Sequence, residues 1–389
     1  MKICGIVCEY NPFHNGHAYL ISRAKELSGC DTVVCVMSGS FVQRGEPAIL
    51  DRSIRAEHAV RAGADAVLEL PAAFALSPAE LFAAGAVGIL SALPGFCALA
   101  FGCEDGSEEE YLAAAKLLSE ESDEFKRTLK GILKRGESLV RARIQALQAV
   151  GEARTAALLV SPNNILGTEY CRALLARGMR ARLFPVKRAG RGHGDGAMGG
   201  NFSSATAIRA ALCRHDPSVS SNVPPFVLDY LQSVPDLSSY KDIALYALLI
   251  ADPDRLKSLP DCGEGLENRL RSLARECADH DELVGKATNR RYTSSRIRRI
   301  AAAAVLGISG KDMFRARDAA PYLRVLALKK ERADELLSAF SASAAPLLVR
   351  ASDFASAVHS DPLLALDERA ADIRDLVSHS HSKRSPRFV

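Results

Sequence analysis

The chain has 389 residues, of which 48% are hydrophobic and 25% charged, and its net charge is +4. These proportions exclude disordered, collagen-like and disulfide-scaffold classes and supply apolar material for two or three cores; +4 is also far from the charge that by itself announces a nucleic-acid partner. Ten cysteines form no C-x-x-C pair and lie mostly inside apolar runs, which reads as reduced thiols rather than as disulfides or a metal site.

Met1 to Gly5 starts directly on a strand pattern with no charged leader or cleavage site, so the expected location is the cytoplasm. Over the first hundred residues short β-rich runs alternate with helical periodicity: strands at 2–8, 31–37, 66–70 and 98–102, and helices at 15–28, 51–62 and 78–92. Strands separated by helices of this length predict right-handed βαβ units and a Rossmann-like parallel sheet. The uncharged stretch 81–103 has the length of a membrane span, but Ala, Gly, Ser91 and the pair Pro94-Gly95 make it a buried helix, a turn and a buried strand.

Residues 107–150 turn wholly helical and charged and predict a helical insertion; a helix over 163–177 then feeds a strand at 180–186. The glycine-rich stretch 188–203 predicts a flexible loop that leads into a Ser/Thr-started helix. The Pro/Ser-rich segment 214–225 is the best boundary, dividing an ATP-binding domain at 1–215 from a mainly helical domain at 216–389. That second part holds strand candidates at 323–328 and 346–351 and a tail, from His379 on, expected to fray.

Several segments carry chemistry. His14-Asn15-Gly16-His17 follows the first strand, where a parallel strand meets a helix N-terminus and anions bind. Two imidazoles there can offset charge developing on phosphate, with Gly16 admitting a ligand close to the backbone; the plain alternative is two surface histidines. Asn201–Leu212 offers Ser203, Ser204 and Thr206 with Arg209 one turn on, a cradle for a pyrophosphate or an ordinary capped helix. Asn163 and Asn164 start a helix, where a carboxamide reads adenine or ribose or merely caps; Lys187-Arg188 ends a strand at the same edge, and Gly102 there either admits a nucleotide or only turns the chain. Ser38, Gln43, Arg44 and Asp51 are weaker candidates for a second substrate or an RNA end, with Arg52, Arg55 and Asp51 equally readable as surface ion pairs. Lys286, Arg290, Arg291, Arg296, Arg298 and Arg299 form an acid-free cationic run suited to RNA phosphates, or simply a solvated basic helix start.

Together EYNPFHNGH, MSGSFVQRGEPAI, GADAVLELP, LAFGCEDG, SPNNILGTEY, VKRAG and RYTSSRIRRI resemble the bacterial tRNA(Met) cytidine acetate ligase family of the H-x-G-H nucleotidyltransferase superfamily, from residue 1 to about 355. The resemblance implies an enzyme that activates acetate with ATP as acetyl-adenylate, releasing pyrophosphate, and then acetylates N4 of the wobble cytidine of elongator tRNA(Met), giving N4-acetylcytidine and AMP. It implies His14 and His17 as catalytic and an ATP site on Val7, Cys8, Glu9, Tyr10, Asn11, Pro12, Phe13, His14, Asn15, Gly16, His17, Ala18, Tyr19 and Leu20, with Gly102, Asn163 and Arg188. Ser203, Ser204, Thr206 and Arg209 match the superfamily's second phosphate motif. One departure falls at Lys187-Arg188-Ala189-Gly190-Arg191-Gly192-His193, where the family reads K-R-I-G-A-G-Y-H; it leaves Arg188 in place and the role of His193 open. ATP with Mg2+, tRNA and acetate are the expected ligands, with no dedicated protein metal site, no membrane and no DNA. Two classes compete: a nucleotidyltransferase that adenylylates a small cofactor precursor, which is typically shorter and lacks a basic helical second part, and a non-catalytic RNA-binding protein with a degenerate Rossmann domain, which would keep the basic run and lose the histidines.

Overall fold

The computed structural model describes residues 1–188, 202–318, 321–382 and 384–389. Chain order begins β1 (Ile3–Cys8), α1 (Asn15–Ser28), β2 (Thr32–Ser38), a small hairpin of β3 (Phe41–Val42) and β4 (Glu46–Pro47), α2 (Arg52–Arg61), β5 (Ala66–Leu70), α3 (Ala72–Ala75), α4 (Ala79–Ser91) and β6 (Phe96–Cys103). Strands β2 and β5 are buried on both faces, which is why they read as unbroken apolar runs rather than as alternation.

The insertion is α5 (Glu108–Ser119), α6 (Asp123–Lys134), α7 (Leu139–Ala149) and α8 (Ala153–Leu158). Ser107, Ser122 and Ser138 accept first-turn amides and so set where three of these helices start. The four pack around a small core of their own, centred on Leu118, Phe125, Ile132 and Leu147. Then follow α9 (Pro162–Ala176), β7 (Arg182–Lys187), α10 (Ala205–Cys213) and a 3-10 turn at Pro217–Ser221. The expected flexible loop, and His193 within it, falls largely outside the described residues.

The remainder is α11 (Pro225–Leu231), α12 (Ser239–Ile250), α13 (Pro253–Ser258), α14 (Leu266–Glu276), α15 (His280–Ala287), α16 (Ser294–Leu306), α17 (Gly310–Asp318), β8 (Leu323–Leu328), α18 (Ala333–Ser341), β9 (Leu347–Leu348), α19 (Ala351–Ala357), α20 (Pro362–Ser378) and β10 (Arg387–Phe388). The main sheet runs β10-β8-β5-β2-β1-β6-β7, with β9 beside β8. Every pairing is parallel except β5 with β8, so the sheet is mixed and mostly parallel.

Two expectations change here. Strands beyond residue 215 return to the sheet, so the second half is mainly helical but shares the first half's sheet. The tail is tied down rather than frayed. Arg387 and Phe388 pair with β8, Val389 donates to the Leu328 carbonyl at 2.9 Å, and Arg387 forms an ion pair with Glu57. Backbone pairing and an ion pair with a buried carboxylate outweigh the entropy that a polar terminus otherwise keeps.

Candidate active site

The strand order reverses between β1 and β6, and in open α/β sheets the crevice at the carboxyl ends of such a pair is where ligands bind. β1 feeds that crevice through Glu9-Tyr10-Asn11-Pro12-Phe13, whose Asn11–Pro12 peptide is cis and whose Tyr10 is left-handed, with φ of 51°. Phe13 and Tyr10 are fully buried and form a floor under His17, at ring separations of 5.5 and 4.8 Å.

His14 caps α1. Its Nδ1 accepts the Gly16 amide at 3.1 Å, and His17 Nδ1 accepts the His14 amide at 3.2 Å, a reciprocal capping box built from two imidazoles. The rings stack 3.5 Å apart, 23° from parallel. Burial, and then the charge of Arg188, pushes His14 down to about 3; burial, His14 and Arg188 hold His17 well below the ordinary imidazole range. Both rings are therefore neutral near pH 7. A neutral imidazole that accepts through Nδ1 carries its proton on Nε2, so the pair presents two Nε2–H donors.

At Gly16 a Cβ would lie 3.0 Å from His14 Cε1 and 3.1 Å from Nδ1, so the absence of a side chain leaves room for the His14 ring. The first amides of α1 are also taken, Asn15 by the Asn222 carbonyl at 3.0 Å and Gly16 by His14. Contact with an anion from this helix start thus falls to the imidazoles.

Arg188 follows β7 and donates its amide to the Cys103 carbonyl at 2.9 Å, which fixes it beside the end of β6. Its charge contributes, after burial, to lowering both histidines. A Cβ on Gly102 would make only an ordinary 3.7 Å contact with Arg188 Cγ. The protein itself does not need that position to be glycine. Asn163 donates to Glu104 Oε1 at 2.6 Å, and Asn164 Oδ1 accepts from the Glu104 amide at 3.0 Å and the Tyr111 hydroxyl at 2.9 Å. Asn163 and Asn164 thus both anchor the start of α9 to the end of β6.

Ser204 caps α10, its Oγ accepting the Ala207 amide at 3.2 Å. Arg209 reaches back to the Asn11 carbonyl at 2.6 Å and toward Glu46 at 3.7 Å. Phe202 meets Tyr19 of α1 edge-on, ring centres 6.1 Å apart, which brings the lead-in to α10 against α1.

The 37–59 segment divides. Ser38 Oγ and the Gln43 amide donate to Glu9 Oε1 at 3.3 and 2.6 Å, placing these two at the crevice. Burial raises the Glu9 carboxyl despite the Gln43 amide and the charges of Arg55, Arg209 and Arg44. Asp51 instead caps α2, accepting the Ser53 amide at 2.7 Å. Arg52 and Arg55 are fully buried rather than on a helix surface. Arg55 holds the Leu50, Ser38 and Gly39 carbonyls, clamping the ends of the loops that frame the site. Among a run of surface-type charges nothing in the sequence marked it as a buried clamp.

The cationic run is not a row of unengaged charges. Lys286 pairs with Glu282 at 2.7 Å, Arg290 with Glu137 of the insertion and Arg291 with Glu264; Arg296 donates to the Asp261 carbonyl at 2.6 Å. Arg298 and Arg299 lie with their backbone against Gly45 of the hairpin, where a Cβ would come within 2.4 Å. The run thus meets the crevice through the same hairpin that holds Glu9.

The HIGH nucleotidyl transferase family model matches residues 1–387. The chain belongs to that family. It is 34% identical to the tRNA(Met) cytidine acetate ligase of Clostridium acetobutylicum, over 98% of this chain and 96% of that one, and 36% identical to that of Caldanaerobacter subterraneus subsp. tengcongensis, over 97% and 95%. Among solved structures it matches Thermotoga maritima TmcAL in its apo form with a TM-score of 0.93 at 31% identity, and TmcAL bound with alpha-thio ATP with 0.90 at 30%, each covering 100% of both chains. HIGH family membership agrees with the paired imidazoles at the switch point. No helix among the described residues is long and apolar enough to cross a membrane.

Proposed function

We propose that the chain is an ATP-dependent acetate ligase that acetylates N4 of the wobble cytidine of elongator tRNA(Met) in the cytoplasm. The observation that carries this reading is the pair of stacked imidazoles of the H-x-G-H element at the switch point, each accepting a helix-start amide through Nδ1 and so keeping Nε2 as the donor. The relatives' names, quoted above, supply acetate, cytidine and tRNA(Met).

Acetate is a poor electrophile, and adenylation gives it a leaving group. In the first half-reaction an acetate oxygen bonds to the α-phosphorus, the bond to the bridging oxygen breaks, and pyrophosphate departs with the bonding pair. Charge grows on the α-phosphoryl oxygens, where donors fixed in advance by the capping box and by the Tyr10–Phe13 floor stabilise it without reorganising. Arg188 supplies a fixed positive charge beside them, and the start of α10 with Arg209 receives the departing pyrophosphate. In the second half-reaction the cytosine amine attacks the acetyl carbonyl, AMP leaves, and the amine gives up one proton.

Mg2+ arriving with ATP would neutralise charge on the phosphates, beside the positive charges of Arg188 and Arg209. The test is incubation of the purified protein with ATP, labelled acetate and elongator tRNA(Met), followed by nucleoside analysis. Label in N4-acetylcytidine is expected; label entering only from acetyl-CoA, or none, contradicts the reading.

A further inference from the structure

The segment that reads in sequence as a linker, 214–225, carries a residue that touches both phosphate-facing helix starts. Asn222 follows the 3-10 turn and is 1% exposed. Its carbonyl accepts the Asn15 amide at 3.0 Å, next to His14, and its Oδ1 accepts the Ser203 amide at 2.8 Å, next to Ser204. Its Nδ2 donates to the Ser218 carbonyl at 3.0 Å and to Ser221 Oγ at 3.2 Å, and its own amide closes on the Val219 carbonyl at 3.0 Å. Asn15 Nδ2 returns a bond to the Ser221 carbonyl at 2.9 Å.

We propose that Asn222 is a positioning residue that fixes the start of α10 against the start of α1, and so the place of the departing pyrophosphate relative to the α-phosphate. The inference rests on reading α10 as the pyrophosphate subsite. The chemistry asks for a carboxamide: one acceptor for Ser203 and two N–H donors for the turn, a set neither a carboxylate nor an aliphatic chain provides. Buried, these bonds cannot be replaced by water when one is cut. The turn is itself held by Val219 and Val223 in the core around α1, so the staple has a rigid base.

The bond broken in the first half-reaction lies between the groups the two helix starts serve. Spacing between them therefore enters adenylation. It does not enter transfer from acetyl-adenylate, which carries no pyrophosphate. This separates a positioning role from a merely structural one.

The experiment compares wild type, N222A and N222D in acetate-dependent pyrophosphate–ATP exchange and in acetyl transfer to tRNA from added acetyl-adenylate. For N222A, kcat/KM for ATP in exchange should fall about 30-fold or more, while KM for acetate and the transfer rate move by less than about 3-fold. N222D keeps an acceptor for Ser203 and should recover part of the exchange while leaving transfer alone. If N222A does not fold, N222D decides by the same comparison, with exchange lowered more than transfer. Equal loss in both half-reactions, or unimpaired exchange, overturns the role of Asn222. A wild-type enzyme without acetate-dependent exchange instead refutes the ligase reading.

Discussion

At the residue scale the proposed reaction depends on two imidazoles being neutral with the proton on Nε2. Replacing His17 by Ala removes one such donor, and a donor aimed at transition-state charge is worth about 3 kcal/mol, so the adenylation rate should fall roughly a hundredfold while the circular dichroism spectrum is retained. Gly102 makes a complementary prediction. Because a Cβ there meets only Arg188 Cγ at 3.7 Å, G102A should leave the melting temperature unchanged yet raise KM for ATP, showing that the space serves a ligand. A third concerns His58, which is buried against Phe226 and Tyr230, has neither ring nitrogen hydrogen-bonded among the described residues, and is pushed down to about 3 by burial and by the Arg61, Arg387 and Arg55 charges. The unfolded chain protonates this imidazole near its ordinary value of 6.5 while the folded one does not. Between those values the unfolded state binds more protons, so stability falls as pH drops from about 6.5 toward 3. H58F should make the melting temperature less steep across that acid range in differential scanning calorimetry; an unchanged slope would show that His58 does not contribute.

At the element scale the hairpin β3–β4 joins the crevice to the helical half. Gln43 holds Glu9, Glu46 faces Arg209, Tyr240 of α12 donates to the Gly45 carbonyl at 3.3 Å, and Gly45, with φ of +83°, lies on the α16 backbone. Ala at 45 meets both a left-handed backbone and a Cβ clash, so G45A should cost about 2 kcal/mol or more in denaturant unfolding. The elements of the first half were legible because their apolar periods and strand spacing are strong. The hairpin was not, since two-residue strands leave no period, and neither was Arg55. The motif His14–His17 was legible in its place between the first strand and helix, but the room Gly16 leaves for the His14 ring was not, because that ring comes from a neighbour two residues away.

At the scale of the whole molecule, the sheet is completed by chain that follows the helical half. Arg324 of β8 lies buried between Glu69 of β5 at 3.0 Å and Glu368 of α20 at 2.6 Å, with Arg52 of α2 on the same two carboxylates at 2.7 and 3.3 Å. Removing one partner of such a cluster leaves uncompensated buried charge, at about 3–5 kcal/mol. A chain ended at residue 320 should therefore be insoluble rather than an independent ATP-binding domain, as sedimentation of the expressed fragment would show. This return was hidden in sequence because β8 looks like any short apolar run and β10 is two residues in a basic tail. The cationic run was legible as a patch, but the acids that partner it lie far off in sequence, at Glu137 and Glu264.

In the proposed reaction the H-x-G-H crevice activates acetate before any RNA is present. The direct measurement is exchange of labelled pyrophosphate into ATP by the purified protein without tRNA, with and without acetate. Exchange that requires acetate and is lost in His17→Ala is the predicted result; exchange that ignores acetate, or survives the loss of His17, would contradict it.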